Sequence, residues 1–345
     1  MHAESPIPGL FLAFWAFFMR IGLCARGFAR ILETLKAALP NDEIFECAGD
    51  EVVEAAREAD VLIPTVAAIP AATFAGTRLR LVQQFGVGLD TVDIPAATGA
   101  GVFVANVPGV GTGNAESVAE LAIAHLLMLS RNLPLAFERF AEKKVGAPLA
   151  NCLWQSTVAI LGYGGIGEEI ARRLAGFGVR VIAISRHGPD GDRTRDTSVK
   201  VDLHVAADKA KSVLAEADYV VVAAPATPEN IGLVDAAMIA AMKPGAFLVN
   251  IARGHVIDYH ALNDGLASGH LRGAGIDVFW HEPFDPDDSI LQHNVIATPH
   301  IGGATGRSFD GIGQAVAANV ERLRSGQLPA NCVNAGNITS PRLPA

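Results

Sequence analysis

The chain has 345 residues, half of them apolar and 18% charged, which suits about two domains, each with its own buried core. A net charge of −9 without a long basic run argues against nucleic acid or an anionic membrane surface as the main partner, while leaving room for a local cationic pocket. The four cysteines, Cys24, Cys47, Cys152 and Cys332, form no CxxC and no metal-ligand spacing, and read as reduced thiols of a cytoplasmic protein without a metal site.

Residues 1–18 stand apart as an N-terminal extension. Leu10–Met19 (LFLAFWAFFM) is an unbroken apolar run, too short for a bilayer span of about 20 residues. Only His2 and Glu4 are ionisable before it, so it lacks the basic region of a signal peptide, and no small-residue cleavage site follows. The run reads as a translation start placed upstream of the true one rather than as an anchor. If it is made, it is an exposed apolar liability or a packing arm.

From Met19 to Val107, β-rich runs alternate with helical stretches. RIGLCA, EIFECA, DVLIPT, RLVQQFG and GVFVANV are strand candidates, and helical patterns at Phe28–Leu39 and Val52–Glu58 separate the first three. Such alternation indicates parallel βαβ units. Glu116–Asn132 follows as a long helix that is apolar almost all round, which must be covered on several sides and suits a domain junction or a dimer interface. A second α/β unit opens with a strand at Thr157–Leu161, a helix at Glu168–Phe177 closed by Gly178, and a strand at Val179–Ser185. It continues through YVVVAAP, FLVNIA, GAGIDVF and NVIATP before a last helix at Phe309–Leu323. The expected architecture is α/β, with two Rossmann-like or flavodoxin-like parallel sheets and a cleft between them. Residues 19–115 and 302–345 form the substrate domain, and 116–301 form a nucleotide domain inserted in it.

The turn Gly162-Tyr163-Gly164-Gly165-Ile166-Gly167 matches GxGxxG. Its glycines allow a tight turn, close backbone approach to a pyrophosphate, and tight packing of the helix on its strand. The motif alone is weak, but here it lies between a strand and an amphipathic helix, as the chemistry requires. The bland alternative is a mere strand–helix turn. At the end of the next strand an NAD-type site carries Asp or Glu for the ribose; this chain has Ser185-Arg186-His187. A carboxylate would repel a 2′-phosphate, whereas Ser185 and Arg186 can bond it, so NADP(H) is expected, with NAD(H) as the alternative. Against this, Arg186 could be a solvated loop cation while Asp190 or Asp192 bends back to the ribose.

Three further residues follow strand-like runs: Arg253 after Phe247–Ile251, Glu282 after Ala274–Phe279, and His300 after Val295–Ala297. Carboxyl ends of parallel strands converge on ligands, so the three can meet on one small molecule. Reducing a ketone by hydride transfer requires a proton for the alkoxide. His300 is the expected donor, with Glu282 as the carboxylate that favours its protonated form. Arg253 offers a two-pronged donor for a substrate carboxylate. Singly, each has a bland alternative: a surface arginine, a turn-starting glutamate, a capping histidine. His125 in the apolar helix reads as a packed or interface residue, and His281 carries no argued role.

VNIARG, GIDVFWHEP and TPHIGG, with GYGGIG upstream, resemble the D-isomer-specific 2-hydroxyacid dehydrogenase family, as do FGVGLD (Phe85–Asp90), NVPG (Asn106–Gly109) and SVAE (Ser117–Glu120). The resemblance runs from Met19 to about Asn334 in motif order. It implies an inserted nucleotide domain, homodimers, and a small anionic 2-oxo or 2-hydroxy acid as substrate. It also implies substrate contacts from backbone around Val87 and Gly88 and from Arg253, and an acid/base pair of His300 and Glu282. Cofactor contacts would come from the glycine turn, Pro225, Ala252 and Asp277, the last near the nicotinamide carboxamide, although Asp277 could equally be a capping acid. Ala226, Asn230 and Tyr259 depart from the family pattern. Glyoxylate or hydroxypyruvate reduction is the preferred activity, because an NADP-type site suits the reductive direction. Phosphoglycerate oxidation is the runner-up, and the chain ends too soon after Asn334 for the regulatory domain many such enzymes carry. A formate-oxidising relative would have Gln in place of Glu282. A dinucleotide-sensing corepressor-like protein is the reading from another class.

Overall fold

The computed structural model describes residues 18–25, 29–191 and 196–342. All of the apolar run Leu10–Met19 but its last two residues, and Asp192, lie outside the described residues.

The first part of the chain forms a five-stranded parallel sheet in the order β2-β1-β3-β4-β5. Its strands are β1 (Arg20–Leu23), β2 (Glu43–Glu46), β3 (Val61–Ile63), β4 (Leu81–Gln83) and β5 (Phe103–Ala105). β3, β4 and β5 are buried along their whole length, as strands covered on both faces must be. Helices α1 (Ala29–Ala38), α2 (Val52–Glu58) and α3 (Ile94–Gly99) connect them. α3 starts where the Asp93 side chain accepts the Ala96 N–H, with Pro95 in its first turn. The core gathers Val52, Leu62, Ile69, Phe74, Val82 and Val104.

The chain then enters α4 (Asn114–Arg131) and α5 (Leu133–Ala141), and builds a seven-stranded, wholly parallel sheet ordered β12-β11-β10-β9-β6-β7-β8. Its strands are β6 (Thr157–Leu161), β7 (Arg180–Ser185), β8 (Leu203–Ala206), β9 (Tyr219–Val222), β10 (Ala246–Asn250), β11 (Leu271–Ile276) and β12 (Val295–Ala297). The connecting helices are α6 (Gly165–Leu174), α7 (Ala210–Leu214), α8 (Ala236–Ala240) and α9 (Tyr259–Ala267). Successive residues of β9 feed opposite cores: Val220 and Val222 join Leu214, Leu248 and Leu262, whereas Tyr219 and Val221 join Leu126, Ile170 and Val249. This alternation follows from the strand period of two and requires cover on both faces. The apolar surface of α4 is covered within this unit by α6 and by β10 and β11. Among the described residues, no single helix is long and apolar enough to cross a membrane.

α10 (Gly306–Arg324) carries the chain back to the first sheet. There Asn334, buried, accepts the Val104 N–H and donates to Thr98 Oγ1 and the Val102 carbonyl, while Cys332 forms a bridge with Ala105. Two compact units result: residues 1–108 with 312–345, and 109–311. The inserted unit begins at Gly109 and ends at Gly311, wider than the expected 116–301. The reason is local. The Ala115 N–H donates to the Gly109 carbonyl, and a side chain at Gly311 would lie 2.2 Å from the Thr112 carbonyl oxygen, so both flanks pack on the start of α4.

Candidate active site

In the seven-stranded sheet the strand order reverses between β6 and β9, which is where an open parallel sheet leaves a crevice for a ligand. The glycine turn follows β6 at that point. Gly162 has φ +105°, and a Cβ there would lie 2.3 Å from Ala224 N, so the loops after β6 and β9 touch only because residue 162 lacks a side chain. A Cβ on Gly167 would come within 2.4 Å of the Gly162 carbonyl oxygen, so α6 packs close on the turn. Gly164, the N-cap of α6, is different: nothing stands within 4 Å of where its side chain would be. Backbone can therefore be approached at Gly164, in front of the first-turn N–H groups of Gly165, Ile166 and Gly167, which helix geometry leaves without intrahelical partners. A pyrophosphate fits this cradle by charge and by space. Pro225 lies exposed in the facing loop, its carbonyl accepting from Asn230 Nδ2 at 2.8 Å and from the Thr227 N–H at 3.0 Å. The departure at Asn230 thus has a definite task in shaping that loop.

At the end of β7, Ser185 Oγ donates to the Gly188 carbonyl at 3.2 Å and lies 2.9 Å from His204 Nε2 on β8. The Ser185 hydroxyl is thus engaged within the protein, and His204, an edge-strand residue that the sequence does not single out, is its partner. Arg186 is exposed. Its charge reaches Glu229 in the β9 loop, whose carboxyl is held below the ordinary carboxylate range by the Thr227 hydroxyl first, then by its own N–H and by Arg186. Asp190 lies in a short turn, Gly188–Asp190, after β7.

The loops after β10, β11 and β12 carry the three reacting-group candidates. After β10, buried Asn250 accepts the Ala252 N–H at 3.0 Å and donates to the Arg253 carbonyl at 2.9 Å, fixing the backbone that presents Arg253. Next to it, a Cβ on Gly254 would lie 2.2 Å from the Phe279 carbonyl group, so this loop lies directly against the one after β11. There Trp280 donates its indole N–H to the Ile257 carbonyl at 2.7 Å and packs edge-on to Tyr259, holding the segment that carries Glu282. Glu282 Oε1 accepts the Phe279 N–H at 3.1 Å, and Oε2 lies 2.7 Å from His300 Nδ1. Burial alone would raise the Glu282 carboxyl. The hydrogen bond and charge of His300, the Phe279 N–H and the Arg253 charge together outweigh burial and hold it below its ordinary value. Arg253, Glu282 and His300 therefore gather at one end of the sheet, with Glu282 and His300 in direct contact and both partly exposed.

Asp277 is 2% exposed, and its carboxylate is occupied inside the protein. Oδ1 accepts from Thr298 Oγ1 at 2.6 Å and from the Ile301 N–H at 2.9 Å, and Oδ2 accepts the Gly302 N–H at 2.8 Å. These donors flank His300, whose φ of +54° places it in the left-handed region. Asp277 thus ties this loop to the end of β11, in keeping with a capping role. His125, wholly buried in α4, joins the same network through Nε2, 3.1 Å from Thr298 Oγ1. In the other unit, the carbonyls of Val87 and Gly88 accept from Asn106 Nδ2 at 2.7 Å and Gln84 Nε2 at 2.8 Å. Among the described residues, no group of three or more His, Cys, Asp or Glu is arranged to hold a metal ion.

Residues 123–302 match the model of the D-isomer specific 2-hydroxyacid dehydrogenase NAD binding domain. A glyoxylate reductase of Thermococcus onnurineus is 35% identical over 319 residues, which are 89% of this chain and 92% of that one. The chain belongs to the D-isomer specific 2-hydroxyacid dehydrogenase family. A D-3-phosphoglycerate dehydrogenase of Mycobacterium tuberculosis is 37% identical over 291 residues, 83% of this chain but 53% of that protein, so the chain spans about half the length of this relative. Among solved structures, an NADPH-dependent glyoxylate/hydroxypyruvate reductase of Sinorhizobium meliloti, in complex with NADP and malonate, has a TM-score of 0.76 at 29% identity, covering 93% of this chain and 98% of that one.

The contact between Gly162 and Ala224 gives a direct test of the dinucleotide cradle. Gly162→Ala combines a positive φ with a 2.3 Å clash against backbone. It is expected to lower thermal stability by about 2–4 kcal/mol and to weaken dinucleotide binding, read by a melting curve and by nucleotide fluorescence titration. Wild-type values for both would show that the loops can part at no cost.

Proposed function

We propose that the protein is an NAD(P)-dependent oxidoreductase that reduces a small 2-oxo acid to its D-2-hydroxy acid, or runs the reverse. The observation that carries this reading is the 2.7 Å contact of His300 Nδ1 with Glu282 Oε2, beside Arg253 and on the sheet that bears the glycine cradle. A bound dihydronicotinamide supplies the hydride. Arg253 holds the substrate carboxylate through its planar guanidinium and polarises the ketone. His300 donates a proton from Nε2 to the oxygen that becomes the hydroxyl, because its Nδ1 is turned to Glu282. Glu282 accepts the Nδ1–H and stabilises the imidazolium before transfer, and the neutral imidazole left afterwards takes a new proton on Nε2 from solvent through its partly exposed ring. Pro225 and Ala252 line the cofactor side.

NADPH is the favoured cofactor. The chain has Ser185-Arg186-His187 where a ribose-binding acid would stand, and the Sinorhizobium enzyme, similar in fold, is NADPH-dependent. Glyoxylate or hydroxypyruvate is the favoured substrate, supported by the names of two relatives. Oxidation of phosphoglycerate is the second reading, favoured by the mycobacterial relative. The active form is a homodimer in the cytoplasm. α5 buries none of its residues in this chain, and Phe137, Phe140, Val145, Leu149 and Trp154 are exposed on it and on the segment after it, an apolar surface suited to a second copy.

A panel of 2-oxo acids and phosphoglycerate, assayed with NADPH and NADH, tests the activity, and turnover of none of them would end it. His300→Ala should retain NADPH affinity while kcat falls by about 10²–10⁴-fold; unimpaired turnover would reassign the proton donor. Arg186→Ala should raise KM for NADPH by about tenfold or more and leave NADH nearly unchanged, whereas equal losses would remove its 2′-phosphate role. Phe140→Asp should shift the mass measured by light scattering from dimer to monomer; an unchanged mass would place the interface elsewhere.

A further inference from the structure

His125 lies in the middle of α4, far in sequence from every reacting group, and is completely buried. Its ring is admitted because β11 has Gly275 there: a Cβ on that residue would come within 2.9 Å of His125 Nδ1. A buried imidazole loses water at both nitrogens, so its place needs a reason. Hydrogen-bond direction supplies one. The Asp277 carboxylate accepts every bond it makes, and the Thr298 hydroxyl proton points to its Oδ1 at 2.6 Å. Thr298 Oγ1 must then accept from its other neighbour, His125 Nε2, at 3.1 Å. His125 is thereby fixed as the neutral tautomer protonated on Nε2. Burial agrees with this, lowering its pKa against the smaller opposing pull of Asp277. Its Nδ1 has no hydrogen-bond partner among the described residues, so the ring's one polar attachment is Thr298.

We propose that His125 is a positioning residue for the proton donor, acting through Thr298 and Asp277 to set the backbone of His300. The chain of contacts is continuous. His125 donates to Thr298, and Thr298 donates to Asp277. Asp277 in turn receives the N–H groups of Ile301 and Gly302, so the residues on both sides of His300 are tied to one carboxylate. His300 itself donates its backbone N–H to the Thr298 carbonyl at 2.9 Å. Each link polarises the next, so the bond from Thr298 to Asp277 is strengthened by the imidazole behind it. Without His125, Thr298 Oγ1 faces an apolar gap and loses the accepted bond that polarises its own bond to Asp277, and the left-handed turn at His300 loses one of its restraints. The Nδ1 contact with Glu282 then loosens.

The inference rests on reading His300 as the acid, and the test separates the two. In the full chain, His125→Leu is expected to lower kcat for glyoxylate reduction by about tenfold while the NADPH dissociation constant stays within about twofold. His125→Gln, whose amide N–H can reach Thr298, should recover most of the loss. Independently of turnover, the low-field Nδ1–H proton resonance of His300 should be present in the wild type and in His125→Gln but weakened or lost in His125→Leu. Thr298→Val, which breaks the same link from the other end, serves where the leucine variant does not fold. Unchanged kcat and resonance in these variants would overturn the proposal, as would equal losses in His125→Leu and His125→Gln that follow their melting temperatures. If the wild type turns over no 2-oxo acid, the functional reading fails, and the resonance alone still decides the positioning role.

Discussion

One buried carboxylate holds the chemistry-bearing end of the larger sheet together. Asp277 leaves β11 directly after Ile276, which pairs with Ala297 at the end of β12, so the acid arrives beside the chain that runs on to His300. β12 has only three residues, and its own ladder gives the following loop little restraint. Three donors from that loop end on Asp277. Hydrogen bonds to an ionised group contribute about 1.5–3 kcal/mol each, against a cost of about 1–2 kcal/mol for a non-glycine residue in the left-handed region. The bonds outweigh the strain, so the imidazole is held in one place rather than sampling several.

Around that clamp, the loops approach one another through missing side chains. Gly162 against Ala224 and Gly254 against Phe279 are backbone-to-backbone contacts that a methyl group would prevent. A parallel sheet sends all its carboxyl ends to one side, and these contacts draw adjacent loops close enough for groups from three strands to interact. Arg253 influences the ionisation of Glu282 although 29 positions separate them in the chain (282 − 253), because Gly254 lets one loop rest on the other. Topology supplies the common edge, and the glycines supply the short range.

Much of this was legible from the sequence because it depends on local pattern. Thr157–Leu161 and the runs around Val221 and Val249 are continuously apolar, as fully covered parallel strands must be, and they form β6, β9 and β10. The glycine turn, Arg253, Glu282 and His300 could each be placed at a strand end on the same grounds. β8 was not foreseen: it is a four-residue edge strand, half-buried throughout and interrupted by His204, so it shows neither a continuous run nor clean alternation. The engagement of Ser185 with His204 was hidden for the same reason, since it depends on which strand pairs with β7. His125 looked like a packed histidine, and it is one. That its Nε2 meets Thr298, 173 residues away, follows only from α4 lying across β11 and β12. That the Asp277 carboxylate gathers donors from both sides of His300 depends on its direction, which no spacing in the chain encodes.

The left-handed backbone at residue 300 has an implication for how this protein tolerates change. Glycine or asparagine adopts that conformation with less strain than histidine. A chain carrying either there, with the Asp277 contacts intact, should fold at least as well while having no imidazole to deliver a proton. If His300 is the proton donor proposed above, position 300 is one where resistance to heat and chemical competence pull in opposite directions. Breeding this scaffold for robustness alone would drift towards a sturdy but inert protein.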